Sequence, residues 1–322
     1  MKNVWLLLTA LFVFGVSACK KDVETDPEEP IEEAPKVVNG EFSADAIKVY
    51  EGTSVKFSVN DAQNITSYQW SFEGGTPATS TAASPEVVFD TFGKYQVTLK
   101  VNSENDEDEV NKPNFLTVVP GKGLVSYYNF NGNADDMMGI ADGTVEGATM
   151  SKDRNGVDDS AYAFDGDDYI NLGVVDEFKF DSTFTINAWF YRTGGVGQTI
   201  LINNETRYEI APEVNGRIFY AVNNDDPGWK WRNVEAGNQD STWHFLTFQY
   251  DMNAVNIYLD GTLKASTPAS GLLKGTDKFF KTYIGGREST NQRFIGMIDD
   301  VSIYSTVLDP AAIQFIYEEG LE

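Results

Sequence analysis

Two stretches show the pattern that governs most of this 322-residue chain. "SVKFSV" puts Val55, Phe57 and Val59 on one face, and "YQVTLKV" puts Tyr95, Val97, Leu99 and Val101 on one face. Side chains of an extended strand point alternately to its two sides, so an apolar period of two predicts half-buried strands. Gly52, "EGGTP" and "TFGKY" punctuate them as turns. The pattern predicts a small β-sandwich over about 39–119. It then repeats on a larger scale over 122–322, in "LVSYYNF", "FTINAWFYR", "RIFYAV", "WHFLTFQYD", "AVNIYLDGTLKAS" and "RFIGMIDDVSIYS", with hairpin signals such as "LDGT". Nine or more strands in about 200 residues predict a two-sheet jelly roll. One helix is expected at the end: Asp309 caps it, Pro310 takes its first position, and Ile313, Ile316 and Tyr317 share a face. The predicted class is all-β.

The N-terminus follows a different rule. Lys2 is followed by an almost wholly apolar run from Val4 to Val16 and then by the small residues Ser17 and Ala18. That run is too short to cross a membrane and has the length of a signal-peptide core, so residues 1–18 read as an export signal. The one cysteine, Cys19, stands at its end. "V-S-A-C" resembles the lipobox of bacterial lipoproteins. The resemblance implies cleavage before Cys19 and its acylation, which makes Cys19 a lipid anchor and the membrane a partner through that anchor only. Lys20 and Lys21 follow it, where Asp is the inner-membrane retention signal of that family, so the resemblance implies an outer-membrane lipoprotein, and the charged stretch fits cell-surface exposure. Residues 19–38 are acidic and Pro-rich without an apolar period, and read as an extended, self-repelling tether.

Charge excludes one class of partner. The formal net charge is −25, and loss of residues 1–18 removes one lysine and no acid. A nucleic-acid binder needs a basic surface for phosphates, so no nucleic-acid partner is expected. With the only cysteine lipidated, no disulfide is available; stability must come from core packing or a bound metal.

Both predicted sandwiches resemble known families. In "YQWSFEGGTPATSTAASPEVVFDTFGKYQVTLKV", Trp70, Phe72, Pro85, Phe89, Gly93, Tyr95 and Val97 stand where polycystic-kidney-disease (PKD) domains carry their motif residues, with Glu73-Gly74-Gly75 replacing the usual G-D-G turn. The resemblance implies an immunoglobulin-like sandwich with Trp70 in its core and a spacer role. Residues 122–322 are similar to laminin-G-like, concanavalin-A-like jelly rolls, through "LVSYYNFNGNADDMMGIADGTVEGA", "GVDDSAYAFDGDDYINLG", "FTINAWF", "STWHFLTFQYD", "IYLDG" and "IGGRESTNQRFIGMIDDVSIYSTVLDPAAI". Met137 and Met138 depart from it, where the family has small residues. The likeness implies a structural Ca²⁺ near Asp136 and Asp299, since that ion takes carboxylate and carbonyl oxygens. On an alternating strand Asp299 shares the face of Val301 and Ile303, the side expected to be buried. The alternative is loop capping by Asp136 and a hydrogen-bonded strand Asp299.

The remaining chemistry is sparse. His244 is the only histidine, so the usual zinc sites and Ser–His or Cys–His pairs cannot be assembled. "ENDEDE" has two-carboxylate spacing for glycoside hydrolysis, but polar residues separate its acids and no pocket could raise a carboxyl pKa. "DRNGVDD" has Phe164 where an EF-hand needs an acid and reads as a turn. No enzyme is expected. "NNDDPGWKWRN" is different: it places Trp229 and Trp231 in a polar, turn-rich stretch with Asp226 and Arg232. Exposed indoles stack on sugar rings, while acids and arginine bind hydroxyls. The alternative is that these indoles plug the sandwich. "GGRESTNQRF", with Arg287, Asn291 and Arg293, is a second polar loop. The expected function is capture of a polysaccharide or glycoconjugate, in company with an outer-membrane nutrient porin system. A surface adhesion module binding a protein, or an accessory glycoside hydrolase, are the alternatives.

Overall fold

The computed structural model describes residues 37–195, 199–237, 239–275, 281–287 and 292–322. Cys19 and its flanks lie outside them, as does Asn291.

Residues 38–119 fold into two small sheets. Phe42–Ala44, Ser54–Val59 and Glu86–Val88 form one; Lys48–Tyr50, Glu107–Val119, Gly93–Asn102, Ser67–Phe72 and Thr79–Ser80 form the other, in that order. The alternation predicted for Ser54–Val59 and Gly93–Asn102 is present: Val55, Phe57, Val97, Leu99 and Val101 are buried. Trp70 lies in this core, stacked on Phe72 at 5.7 Å, and its indole N–H donates to the Ala82 carbonyl at 2.9 Å. That bond satisfies the one polar atom a buried indole brings with it. "ENDEDE" is an exposed hairpin turn and strand start, with Glu104, Asp106 and Glu109 all solvated.

Residues 122–322 form the jelly roll. One sheet has the order Thr144–Glu146, Tyr169–Gly173, Thr282–Ile284, Ile202–Asn204, Tyr208–Pro212, Arg217–Val222 and Arg232–Glu235. The facing sheet runs Thr149–Ser151, Ala161–Asp165, Ile295–Tyr304, Phe184–Arg192, Trp243–Tyr250, Ala254–Leu259 and Thr262–Pro268, with Leu124–Tyr128 paired to Ile295–Tyr304. Phe184, Ile186, Ala188 and Phe190 meet Ile202, Tyr208, Ile210 and Tyr220 in the core between the sheets. The helix Pro310–Glu319 is capped by Asp309, whose carboxylate accepts from the Ala312 N–H at 2.7 Å.

A third core joins the two sandwiches. Val119, Tyr127, Phe245, Tyr258, Tyr304, Leu308, Ile313 and Ile316 are buried together, with Tyr50, Phe92 and Phe315 packed against them. Phe92 meets Phe315 edge-on at 5.4 Å, Lys94 pairs with Glu319 at 2.8 Å, and the Tyr304 hydroxyl donates to the Pro120 carbonyl at 3.0 Å. The segment expected to act as a spacer is therefore packed onto the jelly roll, and residues 38–322 form one compact unit.

Candidate ligand-binding cleft

Trp229 and Trp231 reach the surface because of what flanks them. Asn224–Asp226 makes a short ladder with Ser270–Leu273, and Arg232–Glu235 makes the edge strand of its sheet. Between the two, Pro227 and Gly228, the latter at φ +79°, break the ladder. The intervening residues cannot continue a strand, and their side chains leave the sheet. Trp229 is 38% exposed and Trp231 36%, with ring centroids 5.7 Å apart and planes at 87°. Neither plugs the sandwich.

They line a cleft of about 400 Å³ with Glu205, Thr206, Asn223, Arg287 and Gln292. Thr206 sits at φ +67° in the turn between two neighbouring strands of the same sheet, which carries it to the cleft. Arg287 is the centre of its polar side. Its Nη1 donates to the two Glu205 oxygens at 3.0 and 3.3 Å, and its Nη2 to Glu209 at 2.9 Å and Gln292 at 3.3 Å. Glu209 is 1% exposed and also accepts from the Asn203 amide at 2.5 Å. Burial pushes its carboxyl up to about 7, against the pull of Arg287 and Asn203. A group so raised has the acidity of a general acid, but its oxygens are engaged by Arg287 and Asn203 beneath the surface. Its geometry is that of a support for Arg287.

Of the residues singled out from the sequence, Trp229 and Trp231 come together in this cleft and Arg287 joins them from the second polar loop. Asp226 and Arg232 lie beside it without lining it. The Asp226 carbonyl accepts from Asn224 at 2.6 Å, and Arg232 donates to the Lys230 carbonyl at 3.1 Å. Asn223 and Gln292 lay in the two polar stretches without being singled out, and Glu205 and Thr206 had no sequence signal, since nothing local marks a residue as facing a cleft closed by distant strands. Asp225 anchors the rim: it accepts from the Leu272 N–H and pairs with Lys274, both at 2.8 Å, and the bond from Lys274 holds its carboxyl below the usual range.

Asp136 and Asp299 have been given other partners. Asp136 is buried, and its two oxygens accept from the Ser126 hydroxyl at 2.7 Å and from the N–H groups of Tyr127, Met138, Ile140 and Ala141 at 2.9–3.1 Å. Five donor hydrogens converge on that carboxylate, so a cation there would meet them head on. Asp299 is buried, but not on the face of Val301 and Ile303 as plain alternation predicts: the register shift sets it opposite Trp189, on the face that carries the C-terminal helix, where it pairs with Arg154 at 3.0 Å. Burial, with Asp300 beside it, pushes its carboxyl up. Among the described residues no group of three or more His, Cys, Asp or Glu side chains could hold a metal ion. These donor sets fit hydrogen bonding and ion pairing and do not fit calcium, which takes six to eight oxygens. His244 faces Asp260 at 2.8 Å across a strand pair, a structural bond. "DRNGVDD" is a turn in which Asp153 accepts from the Asn155 and Val157 N–H groups.

Comparison with known proteins agrees with both halves of the fold. Residues 37–118 match the PKD domain model, and residues 164–314 match the Laminin_G_3 model, described as the Concanavalin A-like lectin/glucanases superfamily. No curated protein matches. Among solved structures, domain 4 of AbnA, a GH43 extracellular arabinanase from Geobacillus stearothermophilus, in complex with arabinotriose, is 20% identical, with 60% of this chain and 98% of that chain covered and a TM-score of 0.48. The binding domain of Paraclostridial Mosquitocidal Protein 1 is 14% identical, covering 61% of this chain and 52% of that one, with a TM-score of 0.50. The botulinum neurotoxin serotype D binding domain is 17% identical, covering 61% and 50%, at 0.47. The chain spans about half the length of these toxin domains, and likeness at this identity speaks to the fold alone. The chain is thus a PKD domain followed by a laminin-G-like, concanavalin A-like jelly roll.

Proposed function

We propose that this protein is an outer-membrane lipoprotein, anchored through Cys19 and exposed at the cell surface, that captures polysaccharide in the Trp229–Trp231 cleft without hydrolysing it. One observation carries the reading: two exposed indoles at right angles over a cleft whose floor is a clamped guanidinium. Water-exposed indole is unfavourable surface unless a ligand covers it. A sugar ring offers an apolar face for one indole and hydroxyls for Arg287, Asn223 and Gln292. Glu205 and Glu209 hold Arg287 in place beforehand, which lowers the entropy cost of binding. A non-catalytic role is supported by the position of Glu209. Its carboxyl is covered and bonded to Arg287 and Asn203, whereas a glycosidase needs a raised carboxyl within reach of the glycosidic oxygen.

The test is an array of bacterial, plant and host polysaccharides probed with residues 38–322, followed by Trp229→Ala and Trp231→Ala on any positive. Binding that survives both substitutions, or no binding to any glycan, would refute the assignment. Binding to a surface protein and to no glycan would favour the adhesion reading, which the same exposed aromatic pair could serve. For the anchor, radiolabelled fatty acid should enter the wild-type chain and not Cys19→Ser.

A further inference from the structure

A second cleft, of about 290 Å³, opens on the other sheet of the jelly roll. Its lining is polar, and at its head Arg154 reaches down from the Asp153–Val157 turn. Arg154 Nη1 lies 3.0 Å from an Asp299 oxygen and 2.6 Å from an Asp300 oxygen. Consecutive strand residues ordinarily point to opposite faces. Here Asp300 has φ +49°, and the pairing register shifts between Asn187 and Trp189 on the neighbouring strand. The break in alternation allows both carboxylates onto one guanidinium. A non-glycine residue in that conformation is strained, and such strain persists where the surroundings enforce it.

The rest of the cluster is arranged around the same cation. The Arg154 guanidinium carbon lies 4.6 Å over the Trp189 ring, and Trp189 stacks on Tyr317 of the C-terminal helix at 5.5 Å. The Tyr127 hydroxyl donates to Asp300 at 2.5 Å, and the Asp300 N–H donates to Asp299 at 2.8 Å. Side-chain exposure is 3% for Asp299, 10% for Asp300 and 22% for Arg154. Two adjacent buried carboxylates demand a cation, because an unpaired buried charge is heavily penalised. A divalent ion shared by the two carboxylates would have to contact an oxygen of each, and one guanidinium nitrogen already makes both of those contacts.

We propose that Arg154 is the built-in cation of this jelly roll: it takes the position a structural divalent metal would need between Asp299 and Asp300, makes the fold independent of metal, and masks a latent metal site. The two carboxylates, in a cleft also lined by Asn129 and Asn131, are hard ligands of the class that binds Ca²⁺ or a lanthanide. What keeps such an ion out is the arginine that fills the site.

The experiment uses residues 38–322 and two probes, melting temperature and terbium luminescence sensitised by Trp189. The wild-type protein should melt at the same temperature in EDTA and in millimolar Ca²⁺ and should leave Tb³⁺ dark. Arg154→Ala should melt roughly 6–20 °C lower in EDTA, as expected for breaking a buried ion pair. It should then recover part of that loss as Ca²⁺ is added, by mass action, and light up bound Tb³⁺. Arg154→Lys keeps the charge without the two-pronged geometry; it should fold, melt between the other two, and stay indifferent to Ca²⁺. If Arg154→Ala fails to fold, the lysine variant and the wild-type curve still decide. A wild-type melting point that drops in EDTA and returns with Ca²⁺ overturns the proposal. So does an Arg154→Ala protein that melts like wild type, or one that melts low and ignores both ions.

Discussion

The Trp229–Trp231 cleft and the Arg154 cleft are built from the same parts: an arginine held between two acids, with tryptophan beside it. In the first, Arg287 is held by Glu205 and Glu209 at the base, and the two indoles stand exposed at the wall. In the second, Arg154 lies on the indole of Trp189, whose other neighbours are Phe245 at 5.4 Å and Tyr317 at 5.5 Å. The difference is which group covers the aromatic ring. Where the protein's own guanidinium and helix cover it, the cluster is a latch. Where the rings stay more than a third exposed, the same kit leaves a surface that a ligand can complete. Residue type alone therefore does not identify a site; the covering of its apolar face does.

The strongest way to break this contrast is Trp189→Ala. If Trp189 belongs to a latch, its loss should cost about 3 kcal/mol or more of stability, in the range of a packed aromatic truncated in a core. Urea unfolding measures it, and a change near zero would make the Arg154 cluster a surface feature. The next effect concerns Glu209. Its carboxyl titrates at about 7 in the folded state against an ordinary 4.5. The folded protein thus retains a proton that the unfolded chain releases, and its stability should fall as pH rises through that window. The decline attributable to Glu209 is at most about 3 kcal/mol, from the size of the shift. Glu209→Gln should flatten the curve between pH 4.5 and 7 relative to wild type. An identical slope in both proteins would mean that Arg287 holds Glu209 ionised throughout.

Trp229→Ala and Trp231→Ala should show the reverse of Trp189→Ala. Stability should change by less than about 1 kcal/mol, as for partly exposed rings, while affinity for the bound glycan falls by about 1–3 kcal/mol, roughly 5- to 150-fold. Calorimetric melting and glycan titration on the same samples separate the two. A collapsed melting temperature would place these rings with Trp189. The smallest effect is expected from Lys274→Ala, which removes an exposed partner of Asp225. Exposed pairs of this kind are screened and add little, so melting should not move measurably. A clear drop would show that this one pair holds the rim of the cleft.

The contrast also marks where sequence reading stops. Asn, Asp, Pro and Gly around Trp229 and Trp231 made the accessibility of at least one of them legible, but left open that an indole plugs the sandwich. Trp70 was legible as core because it sits in an alternating strand. Arg287 was legible only as part of a polar loop, and Glu205 and Glu209 not at all, since 78 and more residues separate Glu209 and Glu205 from it in the chain. Asp299 shows a half-success. Its burial was legible but its face was not: the register shift turns it away from Val301 and Ile303 to the side of Trp189, and its partner comes from a turn 145 residues away. The likeness to calcium-holding jelly rolls suggested an ion there; Arg154 now stands in that place. Asp136 was read toward the same ion, and its own loop surrounds it with N–H donors instead.

By itself the sequence determined the strands, the two sandwiches and the capped C-terminal helix. Each follows from short-range rules: the period of side chains along a strand, the residues that turns demand, and the cap a helix start needs. Only the tertiary structure decided three further things. It packed Phe92 and Tyr50 against the jelly roll, which turned an expected spacer into part of one unit. It brought Arg287 over Glu205 and Glu209 beneath the indole pair, and it laid Arg154 over Trp189. All three depend on which distant strands become neighbours. That choice is made by burial of whole faces across the sheets, and local period carries no record of it.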